Sequence, residues 1–448
     1  MYSRDKKFIA AVVITIFQQV CLAASTLFIA RAGGRLATGN TESVINEITL
    51  FFILALAAYL LSSATEFLQV RISNFTWRSY AVDLIEKIRC SIGYSSRSNK
   101  ILTSQWISGE AMPTIAHGCA FYLGLISITT NVLFTLAVFY IAIGPIIAGI
   151  IAISLIVSLG VVRLLRNIIS SLASDMQKTK VDALARIDGL WDRSHFGTKE
   201  MYLEERGVFS TYSSKHFKAA ERYMILEQIV SCAPIILSVL ILIAALQAMS
   251  ASITASIVGV LVAVLPRTLQ LFGNIHALNM YFSQYFLIRS KVKNLISFSE
   301  TLNHQDVSNS VQTDKINITV LPSNVRMAAA DLVEKVSEER LSCGRYLVSG
   351  SNGSGKSSLL KVLKAKSQCS AMLTPSTNFL EINQELSTGE TQLEQLRNLA
   401  NLSPKILLLD EWDANLDKDN TNIINKEIEK ISSKIAVIEV RHKYEGFS

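Results

Sequence analysis

Residues 350–357 carry side chains whose chemistry can be assigned from their types and spacing. Glycines stand at the first, fourth and sixth positions, and Lys356 and Ser357 close the segment. This GxxxxGK[ST] pattern lies between a strand-like run and a helical run, the context that a phosphate loop requires. Its backbone amides close around a phosphate, its lysine reaches the terminal phosphates, and its serine hydroxyl binds Mg²⁺. The predicted phosphate contacts are Gly350, Ser351, Asn352, Gly353, Ser354, Gly355, Lys356, Ser357 and Ser358.

Two carboxylates follow an apolar, strand-like run at residues 405–409. Asp410 suits the coordination shell of Mg²⁺, and Glu411 suits a general base that polarises the attacking water. A strand that ends in acidic residues is common in α/β proteins, so the pair gains its meaning from following a phosphate loop. We expect Ser357 and Asp410 to hold the metal, and Lys356 and Glu411 to be catalytic.

The motif order resembles that of the ATP-binding cassette (ABC) exporters, which have six membrane helices per half. Residues 386–390, with the sequence LSTGE, look like a divergent form of the LSGGQ signature and precede the strand that ends at Asp410. Residues 415–417 are similar to the D-loop of the family. His442, after a strand-like run at residues 435–440, is similar to its switch histidine. An ordinary helix start at residues 386–390 and a surface histidine at 442 are the competing interpretations.

This resemblance implies at least a dimer that binds ATP and Mg²⁺, and we expect a homodimer. Two cassettes would close face to face, with each ATP held between the phosphate loop of one chain and the signature of the other. Ser387 and Gly389 would touch the γ-phosphate bound to the partner chain, and Asp417 would couple the two sites. His442 would hold the γ-phosphate and the attacking water, as a third catalytic residue.

The elements that position these groups follow from the apolar runs. The chain has 448 residues, 50% of them hydrophobic and 18% charged, which is too apolar for one soluble globule. Four runs lack Asp, Glu, Lys and Arg, and a helix needs about 20 apolar residues to cross a bilayer. The two longest runs are each divided in two. The run at residues 118–162 is interrupted by Gly144 and Pro145, and the run at residues 228–266 by a small polar break at residues 247–252. Six membrane spans are therefore predicted, at residues 8–30, 48–65, 118–142, 145–166, 228–247 and 252–274.

The predicted fold is a membrane α-helical domain of exporter type followed by a C-terminal α/β P-loop NTPase domain. The membrane domain covers residues 1–296, a polar linker residues 297–314, and the cassette residues 315–448. The net charge of +7 comes from basic residues beside the apolar runs, so no nucleic acid partner is expected. The same bias places the cassette on the cytoplasmic side of the membrane, which we expect to be a bacterial inner membrane.

Polar and proline residues within the spans are open to two interpretations. They line a substrate path or set kinks, or they form hydrogen bonds between helices. The residues concerned are Gln18, Gln19, Asn131, Pro234 and Pro266. The cytoplasmic helix tips at residues 99–110 and 181–193 would dock on the cassettes and transmit their closure.

The cassette departs from the family pattern in several places. The stretch from Lys356 to Ser387 is several-fold shorter than usual, so most of the helical subdomain is missing. Ser376 stands where the family has the Q-loop glutamine, and Trp412 replaces a proline or alanine. Residues 301–345 contain no Phe, Tyr or Trp to stack on adenine, a contact worth about 1–3 kcal/mol. A low affinity for ATP is predicted.

We expect ATP-driven export of a small peptide or amphipathic compound, because Lys356, Asp410, Glu411 and His442 are all retained. One alternative is a transporter driven by an ion gradient, whose degenerate cassette senses nucleotide without driving transport. The uncharged runs contain no acidic residue, which counts against proton coupling. Another alternative is a membrane receptor or immunity protein, and a retained general base at Glu411 counts against it.

Overall fold

The chain folds into two compact units. The computed structural model describes residues 6–39, 41–89, 91–248, 255–375, 377, 379, 388–402, 404–414 and 416–441. We call Met1–Tyr80 with Ile107–Ser297 the helical unit, and Ala81–Trp106 with Phe298–Ser448 the cassette unit. The N-terminal part of the chain is helical, and the C-terminal part is an α/β domain, as predicted.

Six long α-helices and two short ones contain most of the described residues up to position 297. In chain order they are α1 (Lys6–Ala37), α2 (Thr41–Arg89), α3 (Arg97–Gln105), α4 (Met112–Ala142), α5 (Pro145–Leu184), α6 (Ile187–His195), α7 (Lys199–Ala248) and α8 (Ala255–Ser297). A helix break occurs at the predicted Gly144–Pro145 pair. Helix α4 ends at Ala142, Gly144 has a φ of +115°, and Pro145 begins α5, where its missing N–H costs nothing.

The long helices coincide with most of the predicted membrane spans. Among the described residues, four helical segments are long and apolar enough to cross a bilayer: Lys6–Ala37, Glu42–Arg89, Arg97–Ala142 and Ile257–Thr301. They contain the first, second and third predicted spans and most of the sixth, whose first residues, 252–254, lie outside the described residues. The spans predicted at residues 145–166 and 228–247 lie within α5 and α7 and stay predictions.

Helices α1 and α8 cross at a pair of glycines. A Cβ atom on Gly33 would lie 2.6 Å from the carbonyl oxygen of Gly259, and one on Gly259 would lie 2.5 Å from the oxygen of Gly33. The methyl groups of Ala37 and Ala263 flank the crossing. Both helices therefore carry a small residue on the next turn, the pattern that lets helix backbones approach closely in membranes.

A polar cluster ties α1, α4 and α8 together. The Asn131 amide donates to Gln19 Oε1 at 2.5 Å, and Gln19 donates to Ser127 Oγ at 2.9 Å. From α8, Arg267 donates to Thr135 Oγ1 at 3.1 Å. For Gln19 and Asn131 these contacts favour the interpretation of hydrogen bonding between helices. Arg267 also belongs to this cluster, and the uncharged runs in the sequence did not identify it.

The α/β domain contains a six-stranded sheet with the order β2-β1-β3-β6-β5-β4. Strand β1 is antiparallel to β2 and β3, whereas β3, β6, β5 and β4 are mutually parallel. The strands are β1 (Ile316–Leu321), β2 (Val325–Met327), β3 (Gly344–Gly350), β4 (Ser370–Leu373), β5 (Ile406–Asp410) and β6 (Ala436–Val440). The helices are α9 (Ala329–Ser337), α10 (Lys356–Lys366), α11 (Thr388–Asn401) and α12 (Lys418–Ser432).

The buried parallel strands explain why this part of the chain folds as α/β. Strands β5 and β6 are buried along their whole length, and apolar side chains from α10 and α12 cover the two faces of the sheet. The carboxyl ends of parallel strands in such a sheet are where ligands bind. The predicted phosphate loop and the Asp410–Glu411 pair both lie at this edge.

Residues 81–106 belong to the cassette unit through contacts with the segment that follows α8. The Asn99 amide donates to the carbonyl oxygen of Asn303 at 2.8 Å, and the N–H of Asn303 donates back to Asn99 Oδ1 at 3.3 Å. The rings of Trp106 and Phe298 stack with their centroids 4.5 Å apart. The tip predicted at residues 99–110 thus contacts the segment that leads into the sheet. Docking of residues 181–193 stays a prediction.

Candidate nucleotide site

The predicted phosphate loop joins β3 to α10. Gly353 and Gly355 have φ angles of +81° and +89°, a region that glycine enters without strain. Beside Gly355 there is no room for a side chain, because an added Cβ would lie 2.3 Å from the carbonyl oxygen of Ser310. The Lys356 ammonium donates to the carbonyl oxygens of Gly350 at 2.9 Å and of Ser351 at 3.1 Å. The Lys356 ammonium is therefore hydrogen-bonded to carbonyl oxygens of its own loop.

Ser357 and Asp410 meet across the carboxyl edge of the sheet. The Ser357 hydroxyl donates to Asp410 Oδ1 at 2.9 Å. Burial raises the pKa of the Asp410 carboxyl above its usual value and the neighbouring Glu411 adds to the rise, while the hydrogen bond from Ser357 opposes it. A buried carboxylate beside a hydroxyl is a donor set that suits Mg²⁺.

Glu411 occupies an unusual backbone conformation. Its φ angle is +45°, a region that residues other than glycine rarely enter and that costs of order 1–3 kcal/mol. The N–H of Glu411 donates to the carbonyl oxygen of Val440 at 2.9 Å, and its own carbonyl accepts from Ala414 at 3.0 Å. Neighbouring β6 and the following turn therefore hold the strained residue at the carboxyl edge.

A cavity of about 750 Å³ brings these groups together. Seven predicted phosphate contacts line it, together with the predicted base Glu411. The lining residues are Ser310, Leu347, Val348, Ser349, Gly350, Asn352, Gly353, Gly355, Lys356, Ser357, Ser358, Glu411 and Arg441. Ser351 and Ser354 lie in the same loop, where the Ser354 carbonyl accepts from the N–H of Gln312 at 3.0 Å. The cavity has the size and polarity of a nucleotide site.

Two comparisons relate this chain to known proteins. Residues 346–440 match the AAA family, the ATPase family associated with various cellular activities. The chain is also similar to the structure of a bacterial Atm1-family ABC exporter with ATP bound. The TM-score is 0.59, the identity is 13%, and the match covers 98% of this chain and 91% of that chain. The chain has the ABC exporter fold. No curated protein sequence matches it.

Gly389, predicted to touch the γ-phosphate bound to the partner chain, lies close to Asp417, predicted to couple the two sites. A Cβ on Gly389 would be 2.6 Å from Cγ of Asn420. Asp417 caps α12 by accepting from the N–H of Asn420 at 2.7 Å, and it also accepts from the Asn420 amide at 3.1 Å. Gly389 and Asp417 therefore share a neighbour. Ser387 and His442 lie outside the described residues, as does Ser376.

The sequence patterns did not point to a buried network behind the cavity. Glu439, in the middle of β6, is 0% exposed. It accepts from Arg345 Nε at 2.7 Å, from Arg345 Nη2 at 3.0 Å and from Trp412 Nε1 at 2.9 Å. An acidic residue inside an apolar strand-like run was the available signal, because such a residue needs buried partners. Trp412, noted as a departure from the family pattern, is one of those partners.

Proposed function

We propose that the chain is one half of a homodimeric ABC exporter that hydrolyses ATP to move a small peptide or amphipathic compound across a bacterial inner membrane. The observation that carries this proposal is a single cavity lined by Lys356, Ser357 and Glu411, with Asp410 bonded to Ser357, in a chain with the exporter fold. Phosphate binding alone would not require a base at the cavity wall.

Ser357 and Asp410 are the residues that would hold Mg²⁺. Their 2.9 Å hydrogen bond places a hydroxyl oxygen and a carboxylate oxygen side by side at the carboxyl edge of the sheet. The ion supplies charge neutralisation for the phosphate oxygens.

Lys356 and Glu411 are the proposed catalytic residues within one chain. Lys356 gives up the carbonyl oxygens of Gly350 and Ser351 when a phosphate arrives, because a charge-assisted bond to phosphate is stronger than a bond to a neutral carbonyl. Glu411 orients and polarises the attacking water from the cavity wall. His442 is the proposed third member and would hold the γ-phosphate.

The partner chain completes the site in this proposal. Gly389, in the first turn of α11, and Ser387, which precedes it in the sequence, would reach the γ-phosphate bound to the other chain, and Asp417 would couple the two sites. Gly389 and Asp417 lie close together in one chain, because both are neighbours of Asn420. A complete ATP site therefore needs two copies of the chain.

A trapping experiment tests this proposal. Glu411→Gln in lipid nanodiscs with Mg²⁺ and labelled ATP is expected to retain ATP through gel filtration as a dimer, because nucleotide binds but is not turned over. Lys356→Ala is expected to retain none. Absence of ATP from the Glu411→Gln protein, or retention equal to that of Lys356→Ala, would contradict the proposal. Glu338→Gln, on the surface of the same domain, is the control.

Two observations favour the alternative of an ion-driven transporter with a nucleotide-sensing cassette. Among the described residues that line the cavity there is no aromatic side chain to stack on adenine. Glu227, which immediately precedes the predicted fifth span, is 1% exposed in α7 and accepts from the Tyr223 hydroxyl at 3.3 Å. A buried acid beside a membrane span is a candidate proton carrier. This alternative predicts ATP binding without turnover.

A further inference from the structure

Arg441 lies in the nucleotide cavity, and the mechanism proposed above does not use it. It follows the last residue of β6, which stands in the sheet between the strand of the phosphate loop and the strand that leads to Glu411. The cavity wall therefore carries an arginine together with Lys356 and Glu411. In the motif order it occupies the position just before the predicted switch histidine.

Three neighbours hold the Arg441 guanidinium in place. Its Cζ lies 5.0 Å from the centroid of the Trp412 ring, a cation–π contact. Its Nη2 donates to Asn425 Oδ1 from α12, and its Nε lies 3.4 Å from Glu439 Oε2. The side chain is 15% exposed. Arg441 is thus fixed by residues from three separate elements while it still faces the cavity.

The charge of Glu439 is already balanced by another residue. Both of its oxygens accept from Arg345, at 2.7 and 3.0 Å, and Arg345 is itself buried. Glu429, 3.8 Å from Arg345, has a side chain that is 62% exposed and lies on the solvated rim. Among the described residues, Arg441 therefore shares the Glu439 carboxylate with Arg345, which makes the shorter contacts to it. A partly buried cation that lines a cavity is stabilised when an anion binds beside it.

We propose that Arg441 contacts the terminal phosphate of ATP bound to the same chain, and that Glu439, Asn425 and Trp412 position it. This inference rests on the proposed function, because it assigns a further contact within the same site. The planar guanidinium offers paired donors that match phosphate oxygens. An arginine supplied by the same chain also stabilises the charge that develops on the transferred phosphoryl group.

The test compares ATP with ADP, because the two nucleotides differ in the terminal phosphate. Calorimetric titrations of the full-length protein in nanodiscs are made with each nucleotide and Mg²⁺, for the wild type, Arg441→Met and Arg441→Lys. Arg441→Met is expected to weaken ATP binding about 10-fold or more and ADP binding less than about 2-fold, since a hydrogen bond to a charged group is lost. Arg441→Lys is expected to weaken ATP binding by a factor between those of the wild type and Arg441→Met.

Equal weakening of ATP and ADP in Arg441→Met, or no change for either, would overturn the inference. The ADP affinity also reports whether each variant is folded, and the thermal midpoint provides a second check. Arg340→Met is the matched control, because the Arg340 side chain is 77% exposed. Asn425→Ala is expected to lower the ratio of ATP to ADP affinity by a smaller factor, as a positioning residue should.

The same titrations separate this inference from the proposed function. If the wild type binds neither nucleotide, the proposed function itself fails. If the wild type binds ATP and Arg441→Met binds it equally well, the inference alone fails, and Arg441 is then a structural cap on the Glu439 cluster.

Discussion

At the scale of single residues, the carboxyl of Asp410 combines two opposing demands. Its burial favours the neutral acid, whereas a metal ligand must be ionised. The Ser357 hydroxyl eases this conflict by donating to the ionised form. Because the pKa is raised in the folded protein, this carboxyl stabilises the fold at low pH, and the contribution is lost as the pH rises through the folded-state value.

Substitution of this residue separates stability from metal binding. Asp410→Asn keeps an oxygen for the Ser357 hydroxyl and removes the buried charge, so the nucleotide-free protein is expected to be at least as stable as the wild type at neutral pH. Its thermal midpoint should also vary less with pH. Mg²⁺-dependent ATP binding should be lost. Thermal unfolding followed from near the ordinary carboxyl pKa of 3.8 up to neutral pH measures the effect. A clear loss of stability at neutral pH would contradict the assignment.

Gly355 provides a second test at this scale. Alanine at this position would need a φ of +89° and would place its Cβ 2.3 Å from the Ser310 oxygen, so Gly355→Ala is expected to destabilise the protein by about 1–3 kcal/mol and to abolish ATP binding. Gly207→Ala is the control, because an added Cβ there meets nothing within 4 Å and alanine favours the α7 helix. Equal effects of the two substitutions on melting and binding would contradict this explanation.

At the scale of elements, close packing of α1 on α8 depends on Gly33 and Gly259. Gly259→Val would force the crossing apart, and overpacking of this kind costs about 1–3 kcal/mol. The thermal midpoint of the purified protein in detergent is expected to fall. Gly273→Ala, on the same helix with open space beside it, is expected to leave the midpoint unchanged or slightly higher. A Gly259→Val protein as stable as Gly273→Ala would show that the helices are not packed this way.

The elements themselves could be predicted, but many of their contacts could not. Uncharged runs located the long helices, because a bilayer requires continuous apolar length, and the Gly144–Pro145 break follows from local backbone chemistry. The Gly33–Gly259 crossing and the Gln19–Asn131 bond join residues that are far apart in the chain. A small residue repeated one turn apart on α1 and on α8 was a signal for the crossing, although it did not identify the partner helix.

Part of the candidate site could likewise be predicted from the sequence, and part could not. The loop residues were identified because their chemistry depends on local spacing. The backbone strain at Glu411 and the Arg345–Glu439–Arg441 cluster were not identified from the sequence. They arise where β3, β5 and β6 lie side by side in the sheet. Spacing along the chain carries no information about which strands become neighbours in a sheet.

At the scale of the whole molecule, the proposal requires the two units to cooperate with a second copy of the chain. The ABC exporter fold and the match of residues 346–440 to an ATPase family support ATP-dependent transport in general terms. Helix α2 belongs to the helical unit up to Tyr80, and its last residues, 81–89, belong to the cassette unit.

ATP hydrolysis by the full-length protein in lipid tests this central claim most directly. Phosphate release is measured for the wild type beside Glu411→Gln, Lys356→Ala and the surface control Glu338→Gln. The proposal predicts steady turnover by the wild type and the control, and a loss of about 100-fold or more in the other two, the scale expected when a general base is removed. Turnover no higher than that of the Glu411→Gln protein would contradict an ATP-driven exporter.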